Sequence, residues 1–255
     1  MRRGMTNPQS QWSRVDALDI LDVSSPTDKR WEFHWPGRLV VEPLTDGVEW
    51  HPKSETRELP RGTVLAAPAF AGHVRIHARA GASFRVIFED VRDVEPAFYG
   101  RVHYPTVCKL SANDGDIRTL FARAIDALER TAPTSVRVST KILRTREVLS
   151  QDLTVEMNLE ALAVAVGIAP SHLCRAFRRA VGLPPYRFRA HLRIAHARLL
   201  LAAGHDCTDV AYRLGFYDQS HLSRSFKEIT GTTPGTYART CGATGASRPQ
   251  LLSAA

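Results

Sequence analysis

The chain has 255 residues, a length that suits one large or two ordinary domains. Of these residues 44% are hydrophobic and 24% are charged, a composition that is typical of a folded protein and excludes a disordered chain. The sequence has no apolar run of the roughly 18 to 20 residues that span a bilayer, and no apolar segment follows its charged start, so we expect a cytoplasmic protein without an export signal. Its formal charge of +8 lies entirely after residue 130, which predicts a polyanionic partner for the second half, although charge alone does not separate nucleic acid from an anionic membrane surface.

Short strands are predicted across the first hundred residues. They cover residues 38–41, 49–51, 62–67, 73–78 and 83–88, which are β-branched or alternating and are separated by Pro, Gly and Asp clusters. In the fourth of them, Val74, Ile76 and Ala78 share one face while Arg75 and His77 share the other, the pattern of a half-buried antiparallel strand. A small sandwich or barrel is expected.

The period becomes helical at residues 116–130, where Leu120, Phe121, Ala124, Ile125 and Leu128 form a broad apolar stripe. This helix either covers the barrel or meets a partner helix in a homodimer, and the sequence leaves both open. Residues 131–137, which contain Pro and small polar residues, are the predicted linker.

The four cysteines, Cys108, Cys174, Cys207 and Cys241, are widely separated, without the CxxC pair of a zinc site or redox dithiol. They are interpreted as structural thiols, with a thiol sensor at Cys108 or Cys174 as the alternative.

An internal repeat occupies the last hundred residues. Nine residues of the first copy recur in the same order in the second, at an offset of 48 or 49 positions, which predicts a repeated supersecondary unit. The first copy contains Ala163, Gly167, Ser171, His172, Leu173, Arg175, Phe177, Gly182 and Pro185. The second contains Ala211, Gly215, Ser220, His221, Leu222, Arg224, Phe226, Gly231 and Pro234.

Each copy has the parts of a helix-turn-helix. In the first, Asn158 is expected to cap a helix that ends at Gly167, and a second helix runs to about residue 180. In the second, the first helix has Asp206 or Thr208 as its cap, Gly215 ends it, and Asp218 caps the next helix. That arrangement places a second helix in a DNA major groove.

A long helix is predicted between the copies, at residues 185–203, with Leu192, Ala195, Leu199 and Ala202 on one side. Its length of roughly 28 Å approaches the ~34 Å between successive major-groove faces of a duplex. One chain is therefore expected to read two adjacent grooves.

Residues 138–239 resemble the AraC/XylS family of bacterial transcription regulators. The resemblance is carried by the core G-F-x-D-Q-S-H-L-S-R-x-F-K and a downstream T-P. The resemblance implies double-stranded promoter DNA and RNA polymerase as partners, an unknown small-molecule effector, no membrane partner, no enzymatic activity and no cofactor. It implies base-facing positions in both second helices, with Lys227 nearer the phosphates. These candidate DNA-binding residues are Ser171, Cys174, Arg175, Arg178, Gln219, Ser220, Ser223, Arg224 and Lys227.

The side-chain types agree with these roles. Arg bonds the O6 and N7 acceptors of guanine bidentately and Gln pairs with adenine, whereas Ser and Lys more often contact phosphate. For Arg175 and Arg224, phosphate contact and a structural ion pair are the alternatives to base contact. Two departures from the family pattern, Ala169 at a cap position and Cys174 at a base-facing position, predict that the first unit discriminates less between sequences.

The first half resembles more loosely the small cupin-type barrel that often precedes this DNA-binding domain and binds effectors. Trp50, His51 and His73 are candidate effector-binding residues, with a structural role at the barrel rim as the alternative. No metal site is predicted, because His51, Glu55, His73 and His77 lack the HxH spacing of a cupin metal centre.

The predicted fold class is α+β: a cupin-like β-barrel or sandwich domain at residues 1–130, a linker, an all-α domain of two helix-turn-helix units joined by a long helix at 138–240, and a tail at 241–255. The predicted function is that of a sequence-specific transcriptional regulator. A cupin-type metal enzyme with an appended DNA-binding domain and a structural DNA-binding protein without sequence preference are the competing hypotheses.

Overall fold

The computed structural model describes residues 9–52, 55–69, 74–89, 101–102, 105–110, 116–131, 136–137 and 139–242. The strands are β1 (Gln9–Val15), β2 (Leu18–Ser24), β3 (Lys29–Phe33), β4 (Leu39–Pro43), β5 (Val48–Trp50), β6 (Arg57–Glu58), β7 (Thr63–Ala67), β8 (Val74–Ala78), β9 (Ser83–Glu89), β10 (Arg101–Val102), β11 (Thr106–Lys109) and β12 (Val136–Arg137). The helices are α1 (Ile117–Thr131), α2 (Thr140–Gln151), α3 (Leu159–Val166), α4 (Pro170–Val181), α5 (Pro185–Ala202), α6 (Cys207–Arg213), α7 (Gln219–Thr230) and α8 (Pro234–Cys241).

Two antiparallel sheets make up most of the first half. The larger has the strand order β1-β2-β9-β4-β7-β11 and the smaller has the order β3-β8-β5-β6, while β10 pairs with β12. Aromatic and branched side chains from both sheets meet in one buried core, where Phe33 of the small sheet lies edge-on to Phe84 of the large sheet at 6.2 Å between ring centroids. The sheets therefore pack face to face.

The other face of the large sheet is covered by α1. Phe121, Ala124, Ile125 and Leu128 are buried against a surface that includes Val40 and neighbouring strand residues. Covering the sheet is therefore what the apolar stripe does within the chain. The homodimer stays a prediction.

The prediction of strands in the first half and helices in the second is confirmed. Each of the five predicted strands overlaps an observed one, and β8 buries Val74, Ile76 and Ala78 while Arg75 and His77 are half-buried. Strands β1 to β3 were not predicted, because acidic residues interrupt the apolar pattern of β2 and β3 and because β1 has only Trp12 and Val15 as apolar residues. In the structure Asp19 pairs with Arg14, and Asp22 pairs with Arg85, so these carboxylates are tolerated within the sheet.

The long helix α5 lies at the centre of the second half. It buries not only Leu192, Ala195 and Ala202, as predicted, but also Ile194, Ala197 and further residues around its circumference. The expectation of a one-sided apolar stripe was incomplete, because α5 contacts α4, α6, α7 and α8. Among the described residues, no single helix is both long and apolar enough to cross a membrane. The helices α3 and α4 together have the required length and composition, but the chain bends by 81° between them.

Candidate nucleic-acid interface

The helix α7 begins at a well-formed cap. The carboxylate of Asp218 accepts a hydrogen bond from the backbone N–H of His221 at 2.6 Å, as predicted, and the helix ends at Gly231 in the left-handed conformation. Leu222 and Phe226 are fully buried beneath it. The helix is thereby held by one apolar stripe, and its opposite face is free to meet another molecule.

That opposite face carries all of the residues predicted for the second unit. Gln219, Ser220, Arg224 and Lys227 are exposed and Ser223 is half-buried. Within the part of the chain that the structure describes, Arg224 and Lys227 have no ion pair, so the structural ion pair considered for Arg224 is not seen there. The face offers uncompensated donors to an acceptor outside the protein.

The helix α4 is the counterpart in the first copy. Ser171, Arg175 and Arg178 are exposed, Cys174 is half-buried, and neither arginine is ion-paired among the described residues. The helix lies at 81° to α3, near the angle of helix-turn-helix motifs. It has Pro170 at its first turn, but Ala169 supplies no side-chain cap.

The end of α7 is anchored to the first half of the chain. The indole Nε1 of Trp12, on β1, donates a hydrogen bond to the carbonyl oxygen of Thr230, the last residue of α7, at 3.2 Å. The guanidinium of Arg187, on α5, pairs with the carboxylate of Glu228. The position of the candidate interface therefore depends on the β-sheet half as well as on the helices.

A buried guanidinium joins the two halves. Arg198 on α5 is only 2% exposed, and its Nη2 lies 2.7 Å from the carboxylate Oδ2 of Asp19 on β2. Four aromatic rings surround it, with the guanidinium carbon 4.3 Å from the ring centroids of Trp12 and Trp35. The charge is compensated by one carboxylate and by ring faces, which stabilise a cation.

A second junction contains two histidines. The Nδ1 of His191, on α5, lies 3.0 Å from the carbonyl oxygen of His34, in the loop between β3 and β4. Burial lowers the pKa of His191 to about 4. This histidine is therefore neutral at pH 7 and is a site of acid sensitivity.

The loop after α2 is held by two arginines of α5. Arg189 donates to the carbonyl oxygens of Asp152 and Val155, and Arg193 donates to that of Leu153 at 2.8 Å. The same loop touches the turn of the second helix pair, because a Cβ added to Gly215 would lie 2.4 Å from the carbonyl oxygen of Thr154. The segment that leads into the first copy therefore contacts the turn of the second copy through its backbone, while both copies pack on α5.

Of the predicted effector residues, the structure describes Trp50 and His51, and these two lie on opposite faces of the small sheet. Trp50 is buried in the core between the sheets, whereas His51 lies on the outer side of the small sheet, near His77. Adjacent residues of an extended chain point to opposite faces, which accounts for the separation. Burial lowers the pKa of His51, and His73 lies outside the described residues.

Two exposed aromatic residues near α7 were not among the predicted site residues. Tyr217, which directly precedes the capping residue, is 93% exposed, and Tyr212 on α6 is 84% exposed. The available signal was that Tyr217 occupies the variable position of the G-F-x-D-Q-S-H motif and that Tyr212 lies three residues before the motif. A tyrosine hydroxyl is one of the groups that contact DNA phosphates.

The cysteines show no arrangement that favours a sensor. All four thiols are free, and burial raises the pKa of Cys108, which opposes thiolate formation. Cys174 is half-buried in α4.

The second half of the chain is similar in sequence to known transcriptional regulators. The family model described as a helix-turn-helix domain matches residues 162–240. The HTH-type transcriptional regulator MtrA of Neisseria gonorrhoeae is 32% identical over 88 residues, which are 34% of this chain and 29% of that protein. The arabinose operon regulatory protein of Escherichia coli strain K12 is 33% identical over 93 residues, which are 35% of this chain and 32% of that protein. The matches thus span about a third of each protein's length.

Similarity of fold covers more of the chain than similarity of sequence does. ToxT from Vibrio cholerae O395 has a TM-score of 0.59 at 11% identity, over 91% of this chain and 100% of that one. A structure of unsaturated fatty acid bound wild-type ToxT from strain SCE256 has a TM-score of 0.56 at 12% identity, over 93% and 98%. The family model and the two regulators confirm the resemblance of the second half to AraC/XylS regulators.

Proposed function

We propose that this protein is a sequence-specific DNA-binding transcriptional regulator in which α3–α4 and α6–α7 are two helix-turn-helix units. In this proposal α4 and α7 enter adjacent major grooves of promoter DNA, and α5, about 27 Å long, sets their separation. One observation carries the proposal: both helices bury an apolar stripe and expose, on the opposite face, cations without ion pairs among the described residues.

The roles within each interface follow from the side chains. Arg175, Arg178 and Arg224 are assigned to base edges, since a guanidinium matches the two acceptors of guanine. Gln219 is assigned to adenine, and Lys227 to phosphate. Ser171, Cys174, Ser220 and Ser223 complete the facing surface, and Tyr217 adds a phosphate contact.

The assignment of a separate function to each half of the chain is also a proposal. Residues 1–130 form a cupin-like domain that binds a small molecule or partner, residues 131–137 connect it, and residues 138–240 bind DNA. Support comes from the two packed antiparallel sheets and from the similarity of fold to ToxT, of which a fatty acid-bound structure exists. RNA polymerase is the proposed protein partner on the promoter, and a bacterial cytoplasm is the proposed location.

The proposal is tested by binding a labelled promoter fragment in competition with bulk genomic DNA. A sequence-specific regulator retains the promoter fragment in a large excess of bulk DNA, whereas equal displacement by both would identify a structural DNA-binding protein. Genomic mapping of bound DNA supplies the fragment.

Salt dependence provides an independent test. Log affinity is expected to fall linearly with log salt concentration, with a slope of about −0.9 for each phosphate contacted, because bound cations release counterions from DNA. Affinity that does not change between roughly 50 and 200 mM salt would contradict DNA binding. The control is Arg187→Ala, which removes a cation that is already paired with Glu228 and should leave the slope unchanged.

A further inference from the structure

Three metal-ligating side chains meet on the outer face of the small sheet. Glu49 of β5 is the direct cross-strand partner of His77 on β8, and His51 follows Glu49 by two residues. The backbone N–H of His51 donates to the carbonyl oxygen of Arg75, so the antiparallel pairing continues to this point. Residues at i and i+2 share a face, and so do direct cross-strand partners, which brings the three together.

Their donor atoms have the spacing of a coordination sphere. The Oε2 of Glu49 lies 3.1 Å from the Nδ1 of His77 and 3.8 Å from the Nε2 of His51. One donor atom from each residue lies within 4.8 Å of the other two. Bonds of about 2.0 to 2.2 Å to a tetrahedral zinc ion place neighbouring donors roughly 3.3 Å apart, so only small rotations of the side chains are required.

Outer partners orient two of the three groups. The Oε1 of Glu49 accepts a hydrogen bond from Nε of Arg79 at 3.0 Å, which leaves Oε2 facing the histidines. The Nδ1 of His51 lies 3.1 Å from the hydroxyl of Thr56, and when Nδ1 carries the proton and donates to that hydroxyl, the lone pair of Nε2 faces Glu49. Hydrogen bonds of this kind to ligating histidines and carboxylates are typical of metal sites.

The Nε2 of His51 is the least satisfied atom of the group. It is buried, and among the described residues it has no hydrogen-bond partner, although a carboxylate oxygen lies 3.8 Å away. In the tautomer that donates from Nδ1 to Thr56, the lone pair of Nε2 lies beside a carboxylate, which is unfavourable unless a cation lies between them. The side chains of Glu49, His51 and His77 are 12%, 22% and 23% exposed, so solvent reaches the cluster.

We propose that Glu49, His51 and His77 bind a divalent transition-metal ion of the zinc class, with a fourth coordination position open to water. Two imidazoles and one carboxylate select zinc, cobalt or nickel over calcium and magnesium, which prefer oxygen donors. The ion bridges β5 and β8, so its binding stabilises the β-sheet half. This site lies outside the DNA-binding helices, and its test does not depend on DNA binding.

The test is a titration of the full chain, free of affinity tags and of metal, with Co²⁺ and Zn²⁺. One equivalent of Co²⁺ should bind and produce visible absorption bands of a four-coordinate ion, and Zn²⁺ should displace it and raise the thermal midpoint. Loss of a hydrogen-bond partner of a metal ligand typically weakens metal affinity by roughly 10- to 100-fold, and Thr56→Ala should fall in that range. Loss of a ligand itself should weaken the affinity by more, and this is tested with His77→Ala, His51→Ala and Glu49→Gln.

Two matched controls define a negative result. Glu55→Gln removes a nearby carboxylate that pairs with Arg57, and His172→Ala removes an exposed histidine of α4, and neither should change the affinity. The proposal is overturned if the wild-type chain binds no Co²⁺ or Zn²⁺ at micromolar concentration. It is equally overturned if His77→Ala and Glu49→Gln, shown by circular dichroism to be folded, bind as tightly as the wild type.

Discussion

The sharpest test at the scale of single residues concerns Arg224. This exposed arginine of α7 is expected to contribute about 1 to 3 kcal/mol at a cognate site through bidentate bonds to a guanine, so Arg224→Ala should weaken binding there and relax the preference for that base. The measurement is a set of binding titrations on the cognate site and on single-base variants. A uniform loss on all sequences would assign Arg224 to phosphate instead, and Arg187→Ala is the charge-matched control.

His191 should make the fold sensitive to acid. Its folded-state pKa of about 4 lies below the ordinary value of 6.5, because burial disfavours the charged form. The unfolded chain therefore binds more protons between these values, and stability is expected to fall by up to about 3 kcal/mol as the pH drops from about 6.5 to 4. Urea unfolding at several pH values measures this, and His191→Asn, which keeps a donor toward His34, should remove that part of the pH dependence. An unchanged pH dependence in the variant would contradict the assignment.

At the scale of elements, the turn between α6 and α7 is expected to tolerate no side chain at Gly215. Its φ is +67°, and an added Cβ would meet the Thr154 carbonyl oxygen at 2.4 Å. Gly215→Ala should therefore lower the free energy of unfolding by about 1 kcal/mol because alanine disfavours a positive φ. Overpacking against the Thr154 carbonyl should lower it by a further roughly 1 to 3 kcal/mol. Gly204→Ala is the matched control, since Gly204 also has a positive φ but has nothing within 4 Å of an added Cβ. Equal free energies of unfolding for the two variants would rule out the contact.

At the scale of the whole molecule, the Asp19–Arg198 pair is expected to couple the sheets to the helices. Asp19→Asn leaves the guanidinium of Arg198 buried without its carboxylate and also removes the partner of Arg14, and the expected cost is about 3 to 5 kcal/mol in the free energy of unfolding. Asp22→Asn on the same strand removes a 41% exposed partner of Arg85 and should cost less than about 1 kcal/mol. Denaturant unfolding of the full chain compares them, and similar losses in both variants would refute the coupling.

Local signals account for what was predicted correctly. Asn158, Asp206 and Asp218 cap their helices, and Gly167 and Gly215 adopt positive φ, because capping and turn geometry depend on residues within one or two turns. The strand β2 was missed because its carboxylates, Asp19 and Asp22, are neutralised by arginines that are distant in sequence, Arg198 and Arg85.

The sequence by itself determined the repeated helix pairs, the exposed polar faces of α4 and α7 and the order of strands before helices, since these depend on residue spacing and nearby caps. Only the tertiary structure decided that Trp50 and His51 face apart, that Glu49 joins His51 and His77, and that β1 holds the end of α7. The physical reason is that strand register and domain packing bring together residues tens to hundreds of positions apart, and no local pattern encodes which of them will meet.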